Sequence, residues 1–231
     1  MKKSVVCLLL CTLFGILAGC SHNAQQTLRI NLDNAQLRRE VLQKYRPDSS
    51  VQQILLVSHT TGWNAKAWLY EKQKANDAWS LTLDTEAFIG RNGMGKTREG
   101  DGKTPYGDFG ITKAFGILPN PGTTLPYTNI SPTTYACDED CAYYNTIVDT
   151  GETGHACKGE NMFAFTPEYN YGLVTSYNDS NVRNAGSAIF IHCKGMKPFT
   201  GGCIALDEAD VKSLLRTAHR GMRIYLDEFY E

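Results

Sequence analysis

Ile189-Phe190-Ile191-His192-Cys193-Lys194-Gly195-Met196-Lys197-Pro198-Phe199-Thr200-Gly201-Gly202-Cys203-Ile204-Ala205-Leu206 is the stretch on which the reading of this chain turns. An apolar, strand-forming run delivers His192, a Gly/Pro/Lys loop follows, and Cys203 stands directly after two glycines and before a second apolar run. These residue types suit a thiol nucleophile. Cysteine attacks as the thiolate, and an adjoining imidazole can take its proton and return it to a leaving amine. Gly201 and Gly202 let the backbone turn sharply and allow a carbonyl to approach main-chain N–H groups, an arrangement that stabilises an oxyanion. The plainer alternative is a buried or disulfide-bonded Cys203 beside a core histidine, and this one motif leaves that choice open.

Working outward, the chain reads as mainly β with flanking helices. Period-two patterns over Gln53 to Ser58, Ala65 to Lys72 and Trp79 to Leu83 predict successive strands, with Trp68 and Tyr70 on one face as core residues rather than a sugar platform. Upstream, Asp33 or Asn34 caps a helix running through Leu37, Val41 and Leu42 to Tyr45, where Arg46-Pro47 stops it. Downstream, Ser187 to His192 is a strand, Asp207 caps a helix through Val211, Leu214 and Leu215, Gly221 ends it, and Met222 to Leu226 is a last strand. Residues 119–184 are rich in Tyr, Asn, Thr and Pro and too long for a plain loop, so they are expected to form an insertion or lid with short strands.

A second block matters as much as the first. Gly90-Arg91-Asn92-Gly93 is followed by Arg98-Glu99-Gly100-Asp101-Gly102-Lys103-Thr104-Pro105-Tyr106-Gly107-Asp108-Phe109, too glycine-rich and charged for a core strand and expected to lie as a loop beside the site. Gly93-x-Gly95-Lys96-Thr97 lacks the spacing of a phosphate-binding loop, so nucleotide binding is not expected.

Together, Thr200-Gly201-Gly202-Cys203-Ile204 with His192 upstream, and the Gly-Asp-Gly-Lys-Thr-Pro block, resemble the L,D-transpeptidases (YkuD-type catalytic domain) over roughly residues 53–227. The resemblance implies a β-sandwich or barrel that remodels peptidoglycan. Cys203 would be the nucleophile and His192 the base, with Gly202, Gly201 and Thr200 forming the oxyanion and pocket wall. Arg91, Tyr177 and Asn178 become candidate substrate contacts, and peptidoglycan stem peptides the expected partner. It implies attack on a tetrapeptide stem, a thioester, and transfer to an amine. Water as acceptor, in an L,D-carboxypeptidase or endopeptidase, and a non-catalytic wall-binding lipoprotein are the alternatives. No cofactor is required. Two departures, Ala205 where many members carry arginine and Cys193 where a glycine often follows the histidine, point to a sub-branch with a Thr-Gly-Gly-Cys-Ile-Ala-Leu motif.

The N-terminus carries an address. Lys2 and Lys3, an apolar run from Ser4 to Leu17, and Leu17-Ala18-Gly19-Cys20 read as a lipoprotein signal over residues 1–19, with Cys20 as the lipidated first residue of the mature chain. Acyl chains at roughly 0.8 kcal/mol per buried CH₂ make such an anchor durable. Ser21, by resemblance to Gram-negative lipoproteins, implies the outer membrane, with the protein facing the periplasm. Residues 20–52 form tether and helical lead-in, and 53–231 one catalytic domain. Cleavage removes two lysines and moves the formal charge from −1 to about −3, with no basic patch left for nucleic acid.

Cys137, Cys141, Cys157 and Cys193 are disulfide candidates for an oxidising compartment, allowing three complete pairings. A staple within or between the Cys137-to-Cys141 loop and Cys157 is favoured, with Cys193 either a buried free thiol or the partner of Cys157. Zinc at Cys137, Cys141, Cys157 and His155 is a weaker alternative, because a lone CxxxC is poor support, so no metal is expected. His155 is also a rival general base, without a motif tying it to a nucleophile.

Overall fold

The computed structural model describes residues 36–228; the signal segment, Cys20, the tether and the expected helix cap at Asp33 or Asn34 lie outside the described residues. Among the described residues twelve strands are formed: β1 (Gln53–Thr61), β2 (Asn64–Glu71), β3 (Ser80–Phe88), β4 (Gly107–Gly116), β5 (Tyr127–Asn129), β6 (Thr134–Cys137), β7 (Thr146–Asp149), β8 (Glu160–Asn161), β9 (Gly172–Thr175), β10 (Phe190–Cys193), β11 (Ile204–Leu206) and β12 (Arg223–Asp227). Helix α1 covers residues 36–45, and α2 (Thr150–Thr153) and α3 (Glu208–Thr217) follow.

The main sheet runs β12-β1-β2-β3-β11-β10-β9-β4-β5, and β12 pairs with β4 as well as with β1, so eight strands close into a mixed barrel. Closure removes the open edges that β12 and β4 would otherwise present to each other. The alternation in β1 explains how one strand serves two cores. Leu55 and Val57 point into the barrel with Leu69, Ile191 and Ile224. Ile54 and Leu56 point outward and pack with Trp68, Val41 and Val51 beneath α1. Trp68 is thus a buried core residue, as its face predicts.

Lys72 fastens α1 to the barrel. Its Nζ donates to the carbonyls of Tyr45, Arg46 and Asp48 at 2.5, 2.8 and 2.7 Å, satisfying acceptors that the end of a helix leaves without partners. Burial pulls the Lys72 pKa below its ordinary value.

Several expected boundaries move. Strand β10 begins at Phe190 rather than at 187, because Ala188 takes a left-handed φ of 53° and breaks the extended run. Helix α3 buries Val211, Leu214 and Leu215 as its periodicity predicts, but it ends at Ala218, before Gly221. Asp207 makes no side-chain cap; its carboxylate faces Lys194 at 3.3 Å instead. The 119–184 segment is not wholly an insertion, since β5 and β9 both pair with β4 in the main sheet. Between them, β7-β6-β8 form a separate three-stranded sheet. It covers a second core of Phe115, Ile130, Ala136, Met162, Tyr169 and Phe190, in which Cys203 also takes part.

Candidate active site

The site forms where β10 and β11 run parallel, with Ile191 opposite Ile204 and His192 opposite Ala205. Cys203 immediately precedes β11, so the two supports of the proposed pair are neighbouring strands fixed in the barrel. His192 and Cys203 both line a cavity of 590 Å³, and are 6% and 9% exposed. Arg91, Lys96, Glu160 and Glu168 contribute charges of both signs to its wall. Met196, Phe199 and Phe165 supply an apolar portion.

Orientation of the histidine comes from the main chain. His192 Nδ1 lies 2.8 Å from the Cys193 carbonyl, an acceptor only, so Nδ1 carries the proton and Nε2 keeps its lone pair. The ring of Tyr169 packs edge-on against the imidazole at 5.4 Å and 82°. Burial pulls the His192 pKa below its ordinary value, partly opposed by the hydrogen bond to Cys193, which leaves the imidazole neutral at pH 7.

The thiol rests protonated. Burial pushes the Cys203 pKa up to about 12, offset only in part by the Phe190 N–H that donates to the sulfur at 3.4 Å. Sγ donates to the Ala188 carbonyl at 3.1 Å, and among the described residues no hydrogen bond joins it to His192. Ala188 holds its strained φ because Asn145 Oδ1 accepts its N–H at 2.9 Å, while Asn145 Nδ2 donates to the carbonyls of Tyr177 and Asn178 at 3.2 and 2.7 Å.

The two sequence blocks meet at Thr104. Its buried Oγ1 donates to the Gly202 carbonyl at 2.8 Å and accepts the Gly90 N–H at 2.9 Å, tying the Gly-Asp-Gly-Lys-Thr-Pro segment to the nucleophile loop. Thr200 Oγ1 completes the turn by donating to the Cys203 carbonyl at 2.7 Å and accepting the Gly202 N–H at 3.1 Å. The Gly202 N–H is therefore engaged within the loop. Gly202 itself is required, because its φ is +148° and a Cβ would meet the Lys103 carbonyl oxygen at 2.7 Å.

Asp101 organises the rest of that segment. Its carboxylate accepts N–H groups of Thr97, Arg98 and Lys103 and pairs with Lys96 Nζ at 3.0 Å. Burial raises its pKa, but these donors outweigh burial and hold it well below the usual carboxylate range.

Of the other candidates, Arg91 lines the cavity and its N–H donates to the Thr200 carbonyl at 3.0 Å. Gly201 and Gly202 are also in the wall. Tyr177 and Asn178 are not: Tyr177 Oη donates to the Ala185 carbonyl at 2.6 Å, and Asn178 Nδ2 to those of Val182 and Gly186 at 3.0 and 2.8 Å. They shape the loop leading to Ala188 rather than contact the cavity. His155 lies outside the wall as well, which removes it as a rival base.

None of Cys137, Cys141, Cys157, Cys193 and Cys203 is disulfide-bonded. Cys193 is buried in the barrel core, its thiol donating to the Tyr171 carbonyl at 3.5 Å, which takes it away from Cys157. Ala188 and Tyr169 carry no signal in the sequence, whereas Thr104 stands in the second motif, Lys96 in the Gly93-x-Gly95-Lys96-Thr97 run, and Asn145 and Glu160 in the Tyr- and Asn-rich 119–184 segment, where hydrogen bonds to a peptide backbone are conceivable but turn and surface roles are the default expectation.

The closed barrel thus holds His192 on β10 and Cys203 directly before β11, on neighbouring parallel strands. The family model of the YkuD L,D-transpeptidase catalytic domain matches residues 55–226, and the chain belongs to that family. Among solved structures it is similar to the helical cell shape determining protein Pgp2 from Campylobacter jejuni, at 16% identity and TM-score 0.42 over 82% of this chain and 55% of that one. The K307A mutant of Pgp2 gives 18% and 0.43 over 81% and 53%. The chain thus spans about half the length of Pgp2. L,D-transpeptidase 1 of Mycobacterium tuberculosis follows at 11% identity and TM-score 0.33, over 76% of this chain and 62% of that one. No curated protein matches the chain.

Proposed function

We propose that the protein is an acyl-transferring L,D-transpeptidase of the cell envelope, acting on tetrapeptide stems through a Cys203 thioester. The observation that carries this reading is the shared cavity into which β10 and β11 deliver His192 and Cys203, with the imidazole fixed as the Nε2 base by the Cys193 carbonyl.

Cys203 leaves the Ala188 carbonyl, gives its proton to His192 Nε2 and attacks the carbonyl of the L-to-D peptide bond. The new C–S bond forms a tetrahedral oxyanion, facing the Cys203 N–H since that of Gly202 is engaged. The C–N bond breaks, the imidazolium returns its proton, and D-Ala departs as an amine. An acceptor amine then attacks the thioester and regenerates the thiol. A wall that carries Arg91 together with Glu168 suits a stem bearing carboxylate and ammonium groups together. The sub-branch motif, Cys20 lipidation and an outer-membrane, periplasm-facing location belong to the same reading.

Purified muropeptides incubated with the enzyme provide the test. Cross-linked dimers or terminal-residue exchange are expected by mass, together with a carbapenem thioester mapped to Cys203. Tripeptide alone identifies water as the acceptor. An unaltered tetrapeptide pool with an unlabelled Cys203 overturns the reading.

A further inference from the structure

Away from the cavity, the end of β6, the loop after it and the segment between α2 and β8 converge on a second group of chemically capable side chains. We propose that Cys137, Cys141, Cys157 and His155 are the ligands of a structural zinc ion that clamps the three-stranded sheet.

The geometry is that of a coordination sphere. Cys137 Sγ lies 3.4 Å from Cys141 Sγ, and Cys141 Sγ lies 3.4 Å from His155 Nε2. Tetrahedral zinc, with Zn–S of about 2.3 Å and Zn–N of about 2.05 Å, sets thiolates about 3.8 Å apart and a thiolate and imidazole nitrogen about 3.6 Å apart. The Cys137, Cys141 and His155 ligand atoms, with a Glu139 carboxylate oxygen, all fall within 4.8 Å of one another. Cys157 is not one of those four but stands next to Cys137 and Glu139, and its thiol would turn inward to complete the sphere.

A second, independent feature is in the backbone. Two of the cysteine sulfurs receive a main-chain N–H from two residues further on: Tyr143 to Cys141 at 3.3 Å and Gly159 to Cys157 at 3.3 Å. Such donors orient each sulfur and can stay hydrogen-bonded to it while it holds a metal. Two turns of the same design beside one point are more than a Cys137–Cys141 disulfide needs. A Cys137–Cys141 disulfide would leave one thiol and the imidazole unused, whereas zinc uses all four.

Soft thiolates with one imidazole select zinc over hard cations, which favours Cys157 over the Glu139 carboxylate as fourth ligand. Glu139 is already engaged, accepting the Lys158 N–H at 3.0 Å. On binding, Nε2 exchanges its 3.3 Å Glu139 contact for the metal, and three thiol protons pass to solvent. Ala136 and Asp138, on either side of Cys137, line the cavity, so the ion would fix one wall of the site without touching Cys203.

The test uses the full exported chain purified without chelator, and it is independent of acyl transfer because it is run in parallel on Cys203→Ser. One zinc per chain is expected by elemental mass spectrometry in both. Cys137→Ser, Cys141→Ser, Cys157→Ser and His155→Gln should each hold below about a tenth of that after dialysis against a weak chelator. A strong chelator added to the wild-type chain should make three further thiols reactive, a readout that needs no variant to fold. A chain without zinc and with a mapped Cys137–Cys141 disulfide overturns the proposal. Full zinc in Cys157→Ser with none in Glu139→Gln overturns the ligand set.

Discussion

His192 and Cys203 rest as a neutral imidazole and a neutral thiol, and this sets the pH behaviour of the site. The base form of His192 persists below its ordinary titration range, because burial lowers its pKa. Carbapenem acylation of Cys203 should therefore keep its rate as pH falls through 6.5 and decline only at lower pH, read by stopped-flow quenching or intact mass. In His192→Ala the thiol needs hydroxide instead, and with a pKa near 12 the acylation rate should rise about tenfold per pH unit across the neutral and alkaline range. Asn145 is a positioning residue of another kind. Asn145→Ala leaves the Ala188 N–H without its acceptor and frees the turn whose carbonyl holds the thiol. A roughly tenfold loss in acylation rate is expected, with the pH profile unmoved, because neither titrating group is touched. The brace itself was not legible in sequence: a left-handed alanine carries no local pattern, and an asparagine in a Tyr- and Asn-rich segment reads first as a turn or surface residue.

At the scale of elements, the motifs told more than the connections. His192 on a strand, Cys203 after paired glycines, and the period-two run of β1 and β2 were readable because side-chain alternation and glycine placement are local properties. The Gly-Asp-Gly-Lys-Thr-Pro block was recognisable as a unit, but its purpose needed the contact between Thr104 and Gly202, which joins residues 98 positions apart. Thr104→Val removes that hydroxyl and strands the Gly90 N–H and the Gly202 carbonyl in a buried place. Thermal or urea unfolding should show a loss of about 2–4 kcal/mol, and acylation should slow further than stability alone explains. The limits of β9 and α3 escaped local reading for the same reason. β9 is a strand because β4 and β10 lie on either side of it, and the helix stops where Ala218 must turn into the barrel core.

For the molecule as a whole, the segment anchored by Asp101 links acid stability to the site. Its carboxylate has a folded-state pKa depressed below that of the unfolded chain, so the unfolded state binds the proton first as pH falls. The stabilisation is present above the ordinary aspartate range and is lost progressively below it. Asp101→Asn should abolish that acid-dependent part and lower stability at pH 7 by about 3 kcal/mol, measured as the urea midpoint against pH. The barrel itself, closed by β12 against β1 and β4, should keep its secondary structure in that variant.

The way the smaller sheet is plugged in has a further consequence. β4 pairs with β5 on one side and β9 on the other, so Phe115 stands between Thr128, where the chain leaves the barrel, and Gly172, where it returns. Exit and re-entry are thus two strand spacings apart, roughly 10 Å. Everything between them can lengthen, shorten or be exchanged in evolution without altering the register of a single barrel strand. The thiol and its base belong to the invariant part and one wall of their cavity to the exchangeable part. A lineage can therefore rewrite much of that cassette and reshape the cavity wall, provided that it keeps Asn145 and Tyr169, which brace Ala188 and His192 from within it.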